Sequence, residues 1–185
     1  MPETAKANRG PSAGPANRAA LIAAARDVFA DAGYSAPLSA VARRAGVGQG
    51  SLYRHFPDRV SLAVAVFDEN INELEGVSDA PDGTLDDLLD LVIEQALVSK
   101  ALIDLITADI GDERVEHLGT RVQAVVETIL GREKAAGRIR AEIDTTDVML
   151  AVAMLAGVLG WNPIDDRREV ARRAWALFHA AFQPR

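Results

Sequence analysis

Apolar positions recur with a helical period along almost the whole chain. Leu21, Ala25, Val28, Phe29 and Ala32 follow an i, i+4, i+7, i+8 pattern and predict an amphipathic helix over about 17–32, with Asn17 as N-cap and Gly33 as its stop. Leu38, Val41, Ala42 and Ala45 predict a short helix over 38–45. Gly46 then supplies a left-handed residue that closes the helix and re-aims the chain. Val47 fills the corner, and Leu52 and Phe56, four apart, give a second short helix over about 49–55 a narrow apolar stripe. Pro57 cannot continue that helix but suits the first turn of the next. In that next helix Val60, Val64, Phe67, Ile71 and Leu74 form one stripe, and Gly76 is expected to end it.

The remaining pattern is also helical. Residues 77–83 read as a turn-rich loop, and Thr84 with Asp87 resembles a capping box. Leu85, Leu88, Leu89, Val92, Ile93, Ala96 and Leu97 make a wide stripe ending near 99, and a short apolar helix over 101–110 precedes Gly111. A long helix over 112–136 carries Val115, Leu118, Val122, Val125, Val126 and Ile129 inward and closes at Gly137. Asp144 and Thr145 start a helix whose body, 148–161, is apolar on every side. After Pro163 a last helix over 165–182 sets Val170, Ala174, Leu177, Phe178, Ala181 and Phe182 on one face. No internal repeat and no convincing strand appears, so the expected fold is all-α with about nine helices.

A short helix, a glycine turn and a second short helix make a helix-turn-helix, whose second helix enters the DNA major groove. Away from Leu52 and Phe56 that helix offers Gln49, Ser51, Tyr53, Arg54 and His55, all hydrogen-bond donors with no carboxylate among them. Gln pairs bidentately with adenine, and hydroxyl, phenol and guanidinium groups suit phosphate oxygens. Gly50 removes a side chain near the helix start, where backbone can approach the duplex. The alternative is a solvated polar face on a small structural helix.

The net charge of −7 argues against a DNA-binding chain until its distribution is read. Residues 1–62 carry eight Lys/Arg against four Asp/Glu, a net of +4, and the remainder twelve against twenty-three, a net of −11, together −7. The basic end carries the motif, and phosphate contacts need local charge, not a basic whole. At 185 residues and 49% hydrophobic, the chain can hold one or two globular domains. It has no cysteine, which excludes disulfides, thiolate metal sites and a cysteine nucleophile. No apolar signal segment opens it, and the uncharged run 148–161 is too short and too rich in Ala and Gly for a bilayer span. The expectation is a soluble cytoplasmic protein with no membrane partner.

The run Ala-Gly-Val-Gly-Gln-Gly-Ser-Leu-Tyr-Arg-His-Phe-Pro-Asp-Arg, residues 45–59, closely resembles the signature of the tetracycline-repressor (TetR) family of bacterial transcriptional regulators. The specific match covers about 18–67. The resemblance implies an all-α homodimer that binds double-stranded operator DNA and releases it when a small-molecule effector enters the second domain. It implies a three-helix head joined by a fourth helix to a helical ligand-binding and dimerisation body. The expected division is a disordered arm over 1–16, a head over 17–62 and a body over 63–185. By position Gln49 and Ser39 match base-reaching residues, and Ser51, Tyr53 and His55 match phosphate-binding ones. Arg59 replaces the usual lysine after the motif, where either can hold a phosphate, and Arg44 is expected near the DNA backbone. Pro37 and Leu38 stand where a capping threonine is usual, and Gly48 where a serine or threonine often caps the recognition helix.

The body offers less specific candidates. Ala153, Ala156, Gly157 and Gly160 are small residues at i+3 and i+4 spacing, which lets another helix come close. With Ala174 and Phe178 they are candidates for a two-fold interface, the alternative being burial within one chain. Phe67, Gln95, Met149, Met154 and Trp161 are candidates for an apolar effector pocket, the alternative for each being core packing. His117 follows Glu113 by four, a spacing for two metal ligands or for a surface ion pair. No Gly-rich phosphate loop, nucleophile elbow or zinc-protease motif appears, so neither catalysis nor a cofactor or metal is expected. The rival reading is a small helical enzyme or ligand-binding protein with a vestigial head.

Overall fold

The computed structural model describes residues 13–98, 111–161 and 167–184, without the side chains at 13, 96–98, 156, 160, 161 and 167. Within them lie eight helices: α1 (Ala13–Ala32), α2 (Leu38–Arg44), α3 (Gln49–His55), α4 (Arg59–Asp79), α5 (Leu85–Val98), α6 (Glu113–Ala135), α7 (Thr145–Trp161) and α8 (Arg167–Phe182). The helix expected over 101–110 lies outside the described residues, as do residues 1–12 of the expected arm. Among the described residues no helix is long and apolar enough to cross a membrane.

Three element boundaries differ from the sequence expectation. The first helix begins at Ala13, so Asn17 lies inside it and 13–16 are helical. Pro15 is tolerated there because a first-turn N–H has no intrahelical partner to lose. Pro57 does not open α4. Asp58 caps it, accepting from Ser61 N at 2.6 Å while the Ser61 hydroxyl accepts from Asp58 N at 3.3 Å. Nor does Gly76 end α4, which continues to Asp79. The stop is Ala80, whose extended backbone (φ −69°, ψ 127°) is what the following Pro81 imposes on its predecessor. Gly83 closes the turn: a Cβ there would lie 2.0 Å from the Val77 carbonyl oxygen.

The hydrophobic side chains form two cores. The first joins α1, α2, α3 and α4 as far as Ile71, and takes in Val115 and Leu118 from the start of α6. The second begins at Leu74 and gathers α5, the rest of α6, α7 and α8. Helix α4 therefore runs through both. It also buries Leu62 and Val66, outside the expected stripe, because α1 packs on one side of it and α6 on another.

Helices α4 and α6 run in the same direction and are pinned by arginines of α6. Arg114 donates to Asp58 at the start of α4. Arg121 donates to Asp68, Asn72 and Glu75 along its middle, and Arg132 Nη1 lies 2.5 Å from the Ala80 carbonyl at its end.

Helix α7, apolar on every side, has one face in the core and one exposed in the single chain. Val148, Ala151, Leu155 and Leu159 enter the second core, whereas Leu150, Met154 and Val158 are 58%, 52% and 41% exposed.

Candidate nucleic-acid interface

The two short helices are set by the turn between them. Gly46 takes φ +65°, and Val47 N returns to Ala42 O at 3.0 Å, which closes α2 without a side-chain cap. Gly48 is the N-cap of α3. With no side chain to contribute, its carbonyl instead accepts from Ser51 N and Leu52 N at 2.9 and 3.1 Å. Leu52 and Phe56 are 1% and 2% exposed and hold α3 on the head core.

That anchoring leaves one face of α3 outward. Gln49, Gly50, Tyr53 and Arg54 are exposed, and Ser51 and His55 are half-buried. Tyr53 is a large apolar ring left 52% exposed beside its hydroxyl. Arg54 Nε reaches back to Gly50 O at 3.2 Å, which leaves its terminal nitrogens outward. A Cβ on Gly50 would meet open space, so the residue is a gap in the surface rather than a packing requirement. The His55 ring tilts against Phe56, and the Arg18 guanidinium lies 5.3 Å from the Phe56 ring centroid. Ser39 on α2 is exposed.

The basic side chains of the head differ in the partners they hold within the chain. Arg44 is held on α1, with Nη2 2.9 Å from Asp27. Arg43, one helical turn from Ser39, is exposed and makes no ion pair among the described residues. Arg59 turns inward: Nη1 donates to the carbonyls of Tyr34 and Ala36, and the guanidinium stacks over the Tyr34 ring. The signal missed for Arg59 was Tyr34, an aromatic 25 residues earlier that nothing in the local pattern brings close.

At the seam with the body, Arg114 lies between two helix caps. Its Nη1 is 3.1 Å from both Asp58 oxygens, and its Nε and Nη2 reach Asp112, the N-cap of α6, at 3.0 and 2.7 Å. Burial alone would raise the Asp58 carboxyl, but the Ser61 N–H, Arg114 and the Ser61 hydroxyl together hold it below the usual range. Hydrogen bonds from the Arg114 side chain and backbone lower Asp112 to about 2.

The candidate pocket residues are scattered. Phe67 is fully buried in the head core, and the Gln95 amide donates to Asn70 O at 3.0 Å and to Glu73 at 3.1 Å. Met149 is half-buried against the body core, Met154 is exposed, and the Trp161 side chain lies outside the described residues. A cleft of about 400 Å³ lies instead where α5 begins and α6 and α8 end, lined by Leu85, Asp86, Glu133, Arg138, Ile139 and His179 among others. Glu133, 6% exposed, is held there by Nε and Nη2 of Arg138. Among the described residues no group of three His, Asp or Glu side chains is placed to hold a metal ion.

Of the interface candidates, Ala153 and Gly157 are exposed beside Leu150, Met154 and Val158 on α7, whereas Ala174 and Phe178 pack partly against the body core. Leu177, 75% exposed, is an outward large apolar residue of α8, and the Gly160 position lies outside the described side chains.

Residues 21–66 match the model of the bacterial regulatory proteins, tetR family. The fold is similar to that of the TetR transcriptional regulator SCO0520 from Streptomyces coelicolor, at TM-score 0.67 and 30% identity, covering 90% of this chain and 98% of that one. It is also similar to the TetR family protein CprB from S. coelicolor A3(2), at TM-score 0.67 and 24% identity over 93% and 90% of the two chains. A curated relative, the HTH-type transcriptional activator FasR from Mycolicibacterium smegmatis, is 39% identical over 71 residues, which are 37% of this chain and 32% of that protein. This chain thus spans about a third of the length of that relative. With the helix-turn-helix matched and the SCO0520 likeness running over nearly all of both chains, the chain belongs to the TetR family of DNA-binding transcriptional regulators.

Proposed function

We propose that the protein is a cytoplasmic, non-enzymatic homodimeric repressor that a small-molecule effector releases from its operator. The observation that carries this reading is the outward face of α3, where Gln49, Tyr53 and Arg54 stand exposed on a helix locked down by Leu52 and Phe56. Gln49 and Ser39 read base edges. Ser51, Tyr53, Arg54 and His55 hold phosphates, and Gly50 lets the helix backbone approach the duplex. Arg44 and Arg59, engaged by Asp27 and by the Tyr34 and Ala36 carbonyls, position the head rather than touch DNA.

Dimerisation rests on the outer faces of α7 and α8. Leu150, Ala153, Met154, Gly157, Val158 and Leu177 form an uncharged surface that a second copy covers by two-fold pairing into a four-helix bundle. Such a dimer sets two recognition helices about one DNA turn apart, roughly 34–36 Å or somewhat further. We assign operator binding to a head over 17–62 and ligand binding and dimerisation to 63–185, with α4 as the lever between them. An effector acts only if it binds the two head arrangements with different affinity.

The test is selection of a random duplex pool by the purified chain, repeated with Gln49→Ala and Tyr53→Ala. Enrichment of a two-fold-symmetric site, relaxed by the first change and weakened evenly by the second, is expected. No enrichment at low salt overturns the reading. A second reading, an activator using the same head, is favoured by the FasR relative, which is named as one. A reporter behind the selected site separates the two: deletion of the protein raises expression under a repressor and lowers it under an activator.

A further inference from the structure

We propose that Arg114 is a positioning residue for operator recognition, joining the caps of α4 and α6 and so restricting the half-site spacing that the two heads accept. The inference rests on the dimeric operator-binding reading above.

One guanidinium spans two helix starts. Asp58 caps α4 through Ser61 N at 2.6 Å and also receives Arg114 Nη1 on both oxygens at 3.1 Å. The other edge of Arg114 is fixed by Asp112, which itself caps α6. Asp58 lies between two anchors of the head: Phe56, which seats α3 on the core, and Arg59, which holds the Tyr34 and Ala36 carbonyls. Beyond Arg114, α6 continues into the body core through Val125, Val126 and Ile129. The recognition helix is thus linked to the body by one directional contact close to its own end.

The second pin shows what Arg114 adds. Arg121 lies two turns further along the same face of α6, its side chain 18% exposed, and grips Asp68, Asn72 and Glu75. From Asp68 back to Asp58 α4 measures about 15 Å at 1.5 Å per residue. With Arg121 alone, a tilt of α4 by about 10° there moves Asp58 by about 3 Å, close to the 3.4 Å rise of one base pair. Val115 and Leu118 also touch the head core, but apolar contacts have no preferred direction, whereas the charged hydrogen bond from Arg114 Nη1 to the Asp58 carboxylate does. Arg114 therefore holds the angle that apolar packing leaves loose.

The experiment measures affinity of the full chain for the selected operator and for versions with one base pair inserted or removed between half-sites. The wild type, Arg114→Gln, Arg114→Lys and Asp58→Asn are compared; Asn keeps the α4 cap but loses the carboxylate. The expected result is that the penalty for the altered spacing shrinks about fivefold in Arg114→Gln and Asp58→Asn, the scale of an exposed ion pair. Arg114→Lys restores part of the penalty, and the salt dependence of binding stays that of the wild type. An unchanged penalty, or an equal loss at every spacing, overturns the inference while leaving the operator-binding reading intact. If the wild type itself enriches no two-fold site, both fall together.

Discussion

The Arg59 guanidinium carbon lies 5.5 Å from the centre of the Tyr34 ring, and Nη1 of the same group donates to the Tyr34 and Ala36 carbonyls. A residue that the family resemblance places at a phosphate-holding position ties the start of α4 to the link between α1 and α2. Arg59→Ala is expected to destabilise the protein by about 2–3 kcal/mol, from lost charged hydrogen bonds and the ring contact. Urea melts measure that loss. The salt slope of DNA binding should remain unchanged; a slope shallower by about one per head would return Arg59 to the phosphate backbone.

Gln49 and Tyr53 share an exposed face but do different work in this reading. Gln49→Ala should cost about 1–3 kcal/mol of discrimination at one base pair and little on random duplex. Tyr53→Phe should weaken all duplexes alike and leave the melting temperature unchanged, because the ring is already half in solvent. Quantitative binding to a set of single-base operator variants distinguishes the two patterns.

Gly76 and Gly83 test where α4 ends. Nothing lies within 4 Å of a Cβ at Gly76, so Gly76→Ala inside the helix should stabilise by about 0.5–1 kcal/mol. At Gly83 the Cβ meets the Val77 carbonyl, so Gly83→Ala should destabilise by about 1–3 kcal/mol. Equal and small effects in equilibrium unfolding would contradict this helix end.

Asp112, lowered to about 2 by Arg114, gives a pH signature. Its folded pKa lies below the unfolded value of about 3.9, so its stabilisation is present above pH 4 and is lost as pH falls towards 2. Asp58 shifts in the same direction. The stability difference between wild type and Asp112→Ala should therefore be constant near neutrality and shrink below about pH 4. Unfolding at a series of acidic pH values shows whether it does.

Met154→Glu and Leu177→Glu place a charge on the outer face of α7 and α8. Both residues are more than half exposed in one chain, so helix content should be retained while the dimer dissociates. Sedimentation at micromolar concentration reads the change, and a wild-type monomer would remove the dimer altogether.

The helix-turn-helix was legible because everything that forms it is local. Leu52 and Phe56 lie one turn apart, and Gly46 meets the left-handed turn at its own position. Pro81 was the readable stop of α4, since a proline restricts its predecessor, and Gly76 was misleading because a helix tolerates an exposed glycine once neighbouring turns are packed. Charge in the first 62 residues pointed to DNA, but not to which cations are available for it.

That choice belonged to the tertiary structure. Arg44 meets a carboxylate 17 residues away, Arg59 carbonyls 23 and 25 away, and Arg114 a carboxylate 56 away. The same holds for α7, whose even apolarity conceals an inner face on the core and an outer one left bare. Periodicity and capping act over one helical turn, so the sequence by itself determined the helices and the motif. Long flexible arginines and two-sided helices take their partners from whatever packing brings near, and only the folded chain decided those.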